Sequence, residues 1–217
     1  ATTRVLPEVV VRMVPFLSDA YGNPGSPHVL GRRALDAVES ARVVIAERLS
    51  VPPESVIFTS GGTESNDLAI RGVARRRKSG HIITSAIEHP SVLETCRALE
   101  REGFHVTYLS VSEEGLVTAE AVAKALRDDT ILVSIQHANN EVGVVQPVKD
   151  IAALCRRVGV PFHTDAVQSF CKESIDLGDG QVLISLSAHK IHGPTGVGAL
   201  IVRSVPLAPG VCGGDLE

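Results

Sequence analysis

Positive charge is not in excess in this chain. Its 21 lysines and arginines stand against 25 aspartates and glutamates, a net charge of -4. With no basic surplus to release counterions from a phosphate backbone, nucleic-acid binding is not expected. Cysteine is scarce, and the four present (Cys96, Cys155, Cys171 and Cys212) form no Cys-x-x-Cys pair. That argues against a zinc ribbon or a disulfide framework and fits a reducing compartment. Every apolar run is too short to span a bilayer, so no membrane association is expected. No basic-then-apolar segment opens the chain as an export signal would. Internal repeats, low-complexity tracts and linkers are also absent. What remains is 217 residues, 44% hydrophobic and 21% charged, a composition that excludes disorder and suffices for one compact domain, or one with part of a second.

Short β-branched runs alternate with amphipathic stretches. The runs predict strands at 56–60, 81–85, 105–111, 130–136, 161–165, 182–187 and 198–202. The spacing predicts helices at 34–49, 66–77, 91–101, 119–126 and 148–158. In the first of these, Leu35, Val38, Ala41, Arg42, Ile45 and Leu49 follow helical spacing. Ser91 is placed to cap the third. Strands alternating with helices predict parallel βαβ units and a sheet covered on both faces, an α/β fold of three layers with a mostly parallel seven-stranded sheet.

In such a sheet, ligands bind beyond the carboxyl ends of the strands. Five predicted strand ends carry polar groups to that edge: Ser60 to Asn66, Glu88-His89, His137 to Glu141, Asp165 with Gln168, and Ser187 to Lys190. Gly61-Gly62-Thr63 links a strand to a helix N-terminus, where glycines admit an anion and unpaired N–H groups attract phosphate. An ordinary tight turn is the alternative, and the Gly-x4-Gly-Lys-Ser/Thr spacing of a Walker loop is missing. A lysine at a strand end, Lys190, is costly to bury unless neutral, paired or used covalently, and an amine there can condense with an aldehyde cofactor. Otherwise it is a surface lysine. A carboxylate at Asp165 can keep a pyridine nitrogen protonated, or simply cap a helix. One βα unit is expected between Asp165 and Lys190. His89 can stack on a flat ring and move protons near neutral pH, or bond the backbone of its loop. Asn140 and Gln168 offer neutral hydrogen bonds to a phenolic oxygen or a carboxylate, or cap their loops. His163-Thr164-Asp165 has a metal-site look, with His137 or His189 as a third ligand, but no metal is the favoured reading.

These segments resemble the NifS/IscS-type cysteine desulfurases, pyridoxal-phosphate enzymes of the class V aminotransferase group. The matching stretches are Ala1-Thr2-Thr3, Tyr21 to His28, Phe58 to Asn66, Glu88-His89-Pro90, Asn139 to Gly143, His163 to Ser169 and Ser187 to Gly198, in the family's order from end to end. The resemblance implies the large domain of fold type I, with residues 1–205 as the cofactor-binding domain, 1–33 leading into it, and 206–217 beginning a further region. It implies that Lys190 holds pyridoxal 5′-phosphate covalently, that His89 stacks on its ring and helps in proton transfer, and that Asp165 pairs with the ring nitrogen. Gln168 would touch the phenolic oxygen. Gly62 and Thr63 with nearby N–H groups, Ser187 and His189 would hold the phosphate, and Asn140 the substrate carboxylate.

The implied reaction converts L-cysteine to L-alanine and passes sulfur as a persulfide toward iron–sulfur or thio-cofactor synthesis. The implied partners are a sulfur-acceptor protein and a second copy of the chain, and the implied location is the cytoplasm or the mitochondrial matrix. The family's sulfur-accepting cysteine and carboxylate-binding arginine are expected beyond Glu217, and the start at Ala1 predicts that residues precede it. Cys212 matches no catalytic position, and Cys96, Cys155 and Cys171 are expected to pack as small hydrophobes. A selenocysteine lyase or a cysteine/cystine lyase shares these motifs. A domain that binds cofactor or partner without turnover is the reading from another class.

Overall fold

A computed structural model describes residues 2–210 of the chain. Ala1, Cys212 and the rest of 211–217 lie outside the described residues. Seven strands form one sheet: β1 (Val56–Thr59), β2 (His81–Ser85), β3 (His105–Leu109), β4 (Thr130–Ser134), β5 (Phe162–Asp165), β6 (Val182–Ser187) and β7 (Gly198–Arg203). Their order is β1-β7-β6-β5-β4-β2-β3. The pairs β2–β3, β2–β4, β4–β5 and β5–β6 are parallel. Only β7 runs antiparallel, to both β1 and β6, so β1 to β6 all point one way and bring their carboxyl ends to one edge.

The helices are α1 (Pro7–Met13), α2 (Val29–Leu49), α3 (Gly62–Ala74), α4 (Pro90–Arg101), α5 (Ala119–Ala125) and α6 (Val148–Val158). Strand alternation sends adjacent residues to opposite faces, and the core divides accordingly. Ile82, Leu132, Leu183 and Leu200 pack with Ala69, Ile70, Val73, Val92, Cys96 and Leu99 of α3 and α4. Their neighbours Ile83, Val133, Ile184 and Ile201 pack with Ala46, Val122, Ile151 and Leu154 of α2, α5 and α6. This is the expected three-layer arrangement, and each fully buried Ile or Leu adds roughly 1.5–3 kcal/mol.

Several elements depart from expectation. The third layer starts earlier: α2 begins at Val29, and Leu35, predicted to face inward, is exposed while Ala34 is buried. The first turn of α3 runs through Gly62 instead of starting at residue 66. A Cβ at Gly62 would lie 2.7 Å from Val167 Cγ2, so the glycine that looked like loop is what lets the helix start against β5. α4 is capped by His89, whose side chain accepts from the Ser91 N–H, not by Ser91. Helix α1 was not anticipated, because none of its residues is buried and no inward stripe marks it. Finally, β5 and β6 are joined by turns, without the predicted helix.

Candidate active site

The residues assigned to cofactor and substrate lie on one cavity of about 290 Å³ at the carboxyl edge of the sheet: Gly62, Thr63, His89, Asn140, Asp165, Gln168, Ser187, His189 and Lys190. Each is delivered by a strand end. β1 leads through Gly61 into α3, β2 into His89, β4 into Asn140, β5 ends on Asp165, and β6 ends on Ser187 before a single 3-10 turn, Ala188–Lys190.

The corner of the cavity at the start of α3 is built first from backbone. Gly61 precedes α3 with φ of 150°, and no side chain caps that helix end. Ser65 N–H bonds the Gly61 carbonyl at 3.0 Å, and Thr59 Oγ1 pairs with Ser65 Oγ at 2.7 Å, fixing the turn. A Cβ on Gly198 would fall 2.6 Å from Gly61 Cα, so β7 passes directly against this turn. Thr63 and Ser187 supply hydroxyls beside the helix end, and His189 Nδ1 pairs with Ser187 Oγ at 3.3 Å. Burial lowers the His189 pKa, and the neighbouring Lys190 charge adds to that, which favours a neutral ring.

Asp165 lies deeper. Its Oδ2 accepts from Asn66 Nδ2 at 2.7 Å and its Oδ1 from the Val167 N–H at 2.9 Å. Burial raises its pKa, while these two donors and the His89 and Lys190 charges oppose that rise. His89 Nδ1 takes the Ser91 N–H at 3.1 Å and pairs with Ser91 Oγ at 2.7 Å. The turn before it is pinned from below. Gln136 and Asn139 both donate side-chain N–H to the Ile87 carbonyl, at 2.8 and 2.9 Å. The Glu88 carboxyl accepts from Ser85 Oγ at 2.6 Å and from the Gln136 N–H at 2.9 and 3.1 Å.

The loop that carries Lys190 is held by the opposite end of the chain. Thr3 donates N–H and hydroxyl to the His189 carbonyl, both at 2.9 Å, and its Oγ1 accepts from the His192 N–H at 2.7 Å. The Leu6 N–H then bonds the His192 carbonyl at 3.1 Å.

Some expected players sit elsewhere. His163 is enclosed between Ser134 Oγ and Ser185 Oγ at 2.7 and 3.0 Å, and burial pulls its pKa down to about 3. His137 pairs with Ser169 Oγ at 2.8 Å. His163 joins β4 to β6, His137 joins the segments that follow β4 and β5, and neither lines the cavity. Asn139 folds its own loop, accepting from the Glu141 and Val142 N–H groups at 2.8 and 2.9 Å. Cys96 and Cys155 are buried as expected, but Cys171 is exposed, with φ of 61°, because the β5–β6 link is made of turns and not of a packed helix.

Five further residues line the cavity, Asn66, Ser91, Gln136, Ala138 and Val167, and of these Asn66 and Ser91 bond the side chains of Asp165 and His89. Asn66 follows Gly62 by one helical turn, and Ser91 follows His89 by two residues. Both spacings are visible once α3 is known to start at Gly62. The donor set suits pyridoxal phosphate: an amine at Lys190, a carboxylate at Asp165 for a ring nitrogen, and an uncapped helix end where a Cβ on Gly62 would already collide.

Known proteins were compared with this arrangement. The family profile Aminotransferase class-V matches residues 1–216. A cysteine desulfurase IscS from Dictyoglomus turgidum is 47% identical over 221 residues, covering all of this chain and 56% of that protein. A mitochondrial cysteine desulfurase from Eremothecium gossypii is 47% identical over 224 residues, covering all of this chain and 46% of that protein. The chain spans about half the length of such curated relatives. A solved structure described as SspA in complex with cysteine superposes with a TM-score of 0.95 at 46% identity, over 98% of this chain and 63% of that one.

Proposed function

From the premise that this chain belongs to the class-V aminotransferase family, we propose that it forms the cofactor-binding part of a cysteine desulfurase. Enzymes of that kind depend on pyridoxal 5′-phosphate, and the observation that carries the proposal is the meeting of Lys190, Asp165 and His89 on one cavity beside the open end of α3.

When bound, the cofactor supplies an aldehyde for amine exchange and a ring that takes up an electron pair from the substrate α-carbon. Lys190 would hold the aldehyde, and its amine would be the group that moves a proton at that carbon. The Asp165 carboxylate, kept as an acceptor by Asn66 and the Val167 N–H, holds the proton on the ring nitrogen. Gly62, Thr63, Ser187 and His189 bind the phosphate, the dipole of α3 adding to the attraction. His89 would cover the ring face, Gln168 would bond the phenolic oxygen, and Asn140 would orient the substrate carboxylate.

The substrate read here is L-cysteine, supported by the similarity to a protein solved with cysteine. Its carbon–sulfur bond breaks, the sulfur joins a protein thiol as a persulfide, the β-carbon takes a proton, and alanine leaves. None of the described cysteines lines the cavity, and burial pushes the Cys96 and Cys155 thiols up to about 12. This fits the reading, implied by the family resemblance, that the accepting thiol lies beyond Glu217. The persulfide would pass to an acceptor protein, and the protein would act as a homodimer in a cytoplasmic or mitochondrial compartment. No helix among the described residues is long and apolar enough to cross a membrane.

The test is reconstitution. Added pyridoxal phosphate should give a visible absorbance that borohydride removes and that Lys190→Ala never develops, and the full-length protein should then release alanine and persulfide sulfur from L-cysteine. A band without turnover on L-cysteine, but with turnover on selenocysteine, would move the assignment to a lyase. No band at all would leave a scaffold.

A further inference from the structure

Asn66 is 1% exposed, and its Oδ1 is buried with no hydrogen-bond partner. An orphaned amide oxygen is costly, so the orientation of this amide needs a reason. Its Nδ2 provides one. It donates to Asp165 Oδ2 at 2.7 Å and to Ser91 Oγ at 2.9 Å, using both amide hydrogens. Turned over, the amide would aim its oxygen at a carboxylate oxygen, losing the Asp165 bond for a repulsion and keeping only a contact in which the Ser91 hydroxyl donates.

The direction of every bond beyond this follows. An amide N–H can only donate, so Ser91 Oγ accepts from Asn66. The single hydroxyl proton of Ser91 is then left for His89 Nδ1, 2.7 Å away. The Ser91 backbone N–H, also only a donor, points at the same nitrogen from 3.1 Å. Two donors converging on Nδ1 leave no room for a proton there.

We propose that Asn66 and Ser91 are positioning residues that join Asp165 and His89 in one directional hydrogen-bonded chain, fixing the neutral His89 ring as the tautomer protonated at Nε2. The inference rests on the cofactor reading above for its meaning and on the apoprotein geometry for its evidence. In that tautomer, neutral His89 is a hydrogen-bond donor at Nε2 and has no lone pair there. To accept a proton at Nε2, it must instead carry its proton at Nδ1, which requires the Ser91 hydroxyl to turn away and the contact with the Ser91 backbone N–H to be given up. Ser91 therefore acts as a switch between a donating and an accepting His89, and the carboxylate at Asp165 biases that switch through Asn66.

Nitrogen-15 NMR of histidines in the whole protein, without added cofactor and at about pH 9 where imidazoles are neutral, reads the tautomer directly; His89 is assigned by its loss in His89→Gln. Wild type should show Nδ1 bare and Nε2 protonated. Ser91→Ala keeps the backbone donor but loses the hydroxyl, and should lower the Nε2-H to Nδ1-H ratio by about fivefold, the factor carried by one net hydrogen bond. Asn66→Ala should lower it in the same direction, because it frees the hydroxyl to reorient, and Ser91→Thr should restore the wild-type ratio. A wild-type ring protonated at Nδ1, or an even mixture, overturns the proposal, as does a ratio unchanged in Ser91→Ala. The wild-type and Ser91 measurements decide the matter even if Asn66→Ala does not fold. Because no cofactor is present, this outcome is separate from the cofactor reading, whose failure would be the missing borohydride-sensitive band.

Discussion

Glu88 is a carboxyl wholly inside the protein, and burial pushes its pKa up to about 8 from an ordinary 4.5, against the lowering effect of the Ser85 and Gln136 donors. Between those values the folded chain keeps a proton that the unfolded chain has released. Stability should therefore fall as pH rises from 4.5 to about 8 and level off above. Urea unfolding of wild type at pH 5 and pH 8.5 should show that drop, and Glu88→Gln should shrink it by a few kcal/mol. A drop of unchanged size would place the titrating group elsewhere. Thr3 offers a second residue-scale test. Its hydroxyl both donates to the His189 carbonyl and accepts from the His192 N–H, so Thr3→Val should loosen the Lys190 loop. Removing two bonds should cost about 1–3 kcal/mol, read as faster loss of bound cofactor on dialysis.

Among the elements, β7 is tightly constrained. A Cβ on Gly198 would stand 2.6 Å from both Gly61 Cα and the Leu186 carbonyl oxygen, and these are backbone atoms that cannot swing aside. Gly198→Ala should destabilise the protein by about 1–3 kcal/mol or more and weaken anion binding at the α3 turn, measured by thermal unfolding and by phosphate titration. His163, on β5, reports on the opposite pH limb from Glu88. With its pKa lowered to about 3 from 6.5, the folded chain binds fewer protons than the unfolded one in that window. Stability should fall as pH drops below 6.5, and His163→Gln should flatten that acid limb in urea titrations.

The same elements show what the sequence carried. β2, β6 and α6 were legible to the residue, because β-branched runs and a clean apolar period mark them. That these residues meet on one cavity was legible because strand ends converge wherever parallel strands alternate with helices. What was hidden depended on contacts rather than pattern. The start of α3 at Gly62 depends on Val167, His89 displaced Ser91 as the α4 cap by a side-chain bond, and the inward role of Asn66 depends on Asp165, far along the chain. Helix α1 buries nothing, so it leaves no periodic trace.

At the scale of the molecule, the N-terminal segment carries apolar side chains outward: Val10, Val11, Val14, Phe16, Tyr21 and Leu17, the last 81% exposed. Surface of this kind marks an interaction site or an association liability. The 217-residue chain should self-associate at micromolar concentration, and Val11→Ser with Leu17→Ser should lower the mass seen by light scattering without altering the far-ultraviolet dichroism. A monodisperse monomer in wild type would show that this face tolerates water.

The strand order also sets a timetable. β1 at 56–59 has its sheet partner at 198–201, so the first strand translated must wait for the last one before it has a neighbour. During synthesis β1 leaves the ribosome as a bare edge, and the Gly61 turn beyond it stays unformed until the ribosome has passed β7. The corner proposed to hold phosphate is thus completed only after β7, and a nascent chain stalled before residue 198 should fail to retain phosphate, however well its middle strands had already assembled.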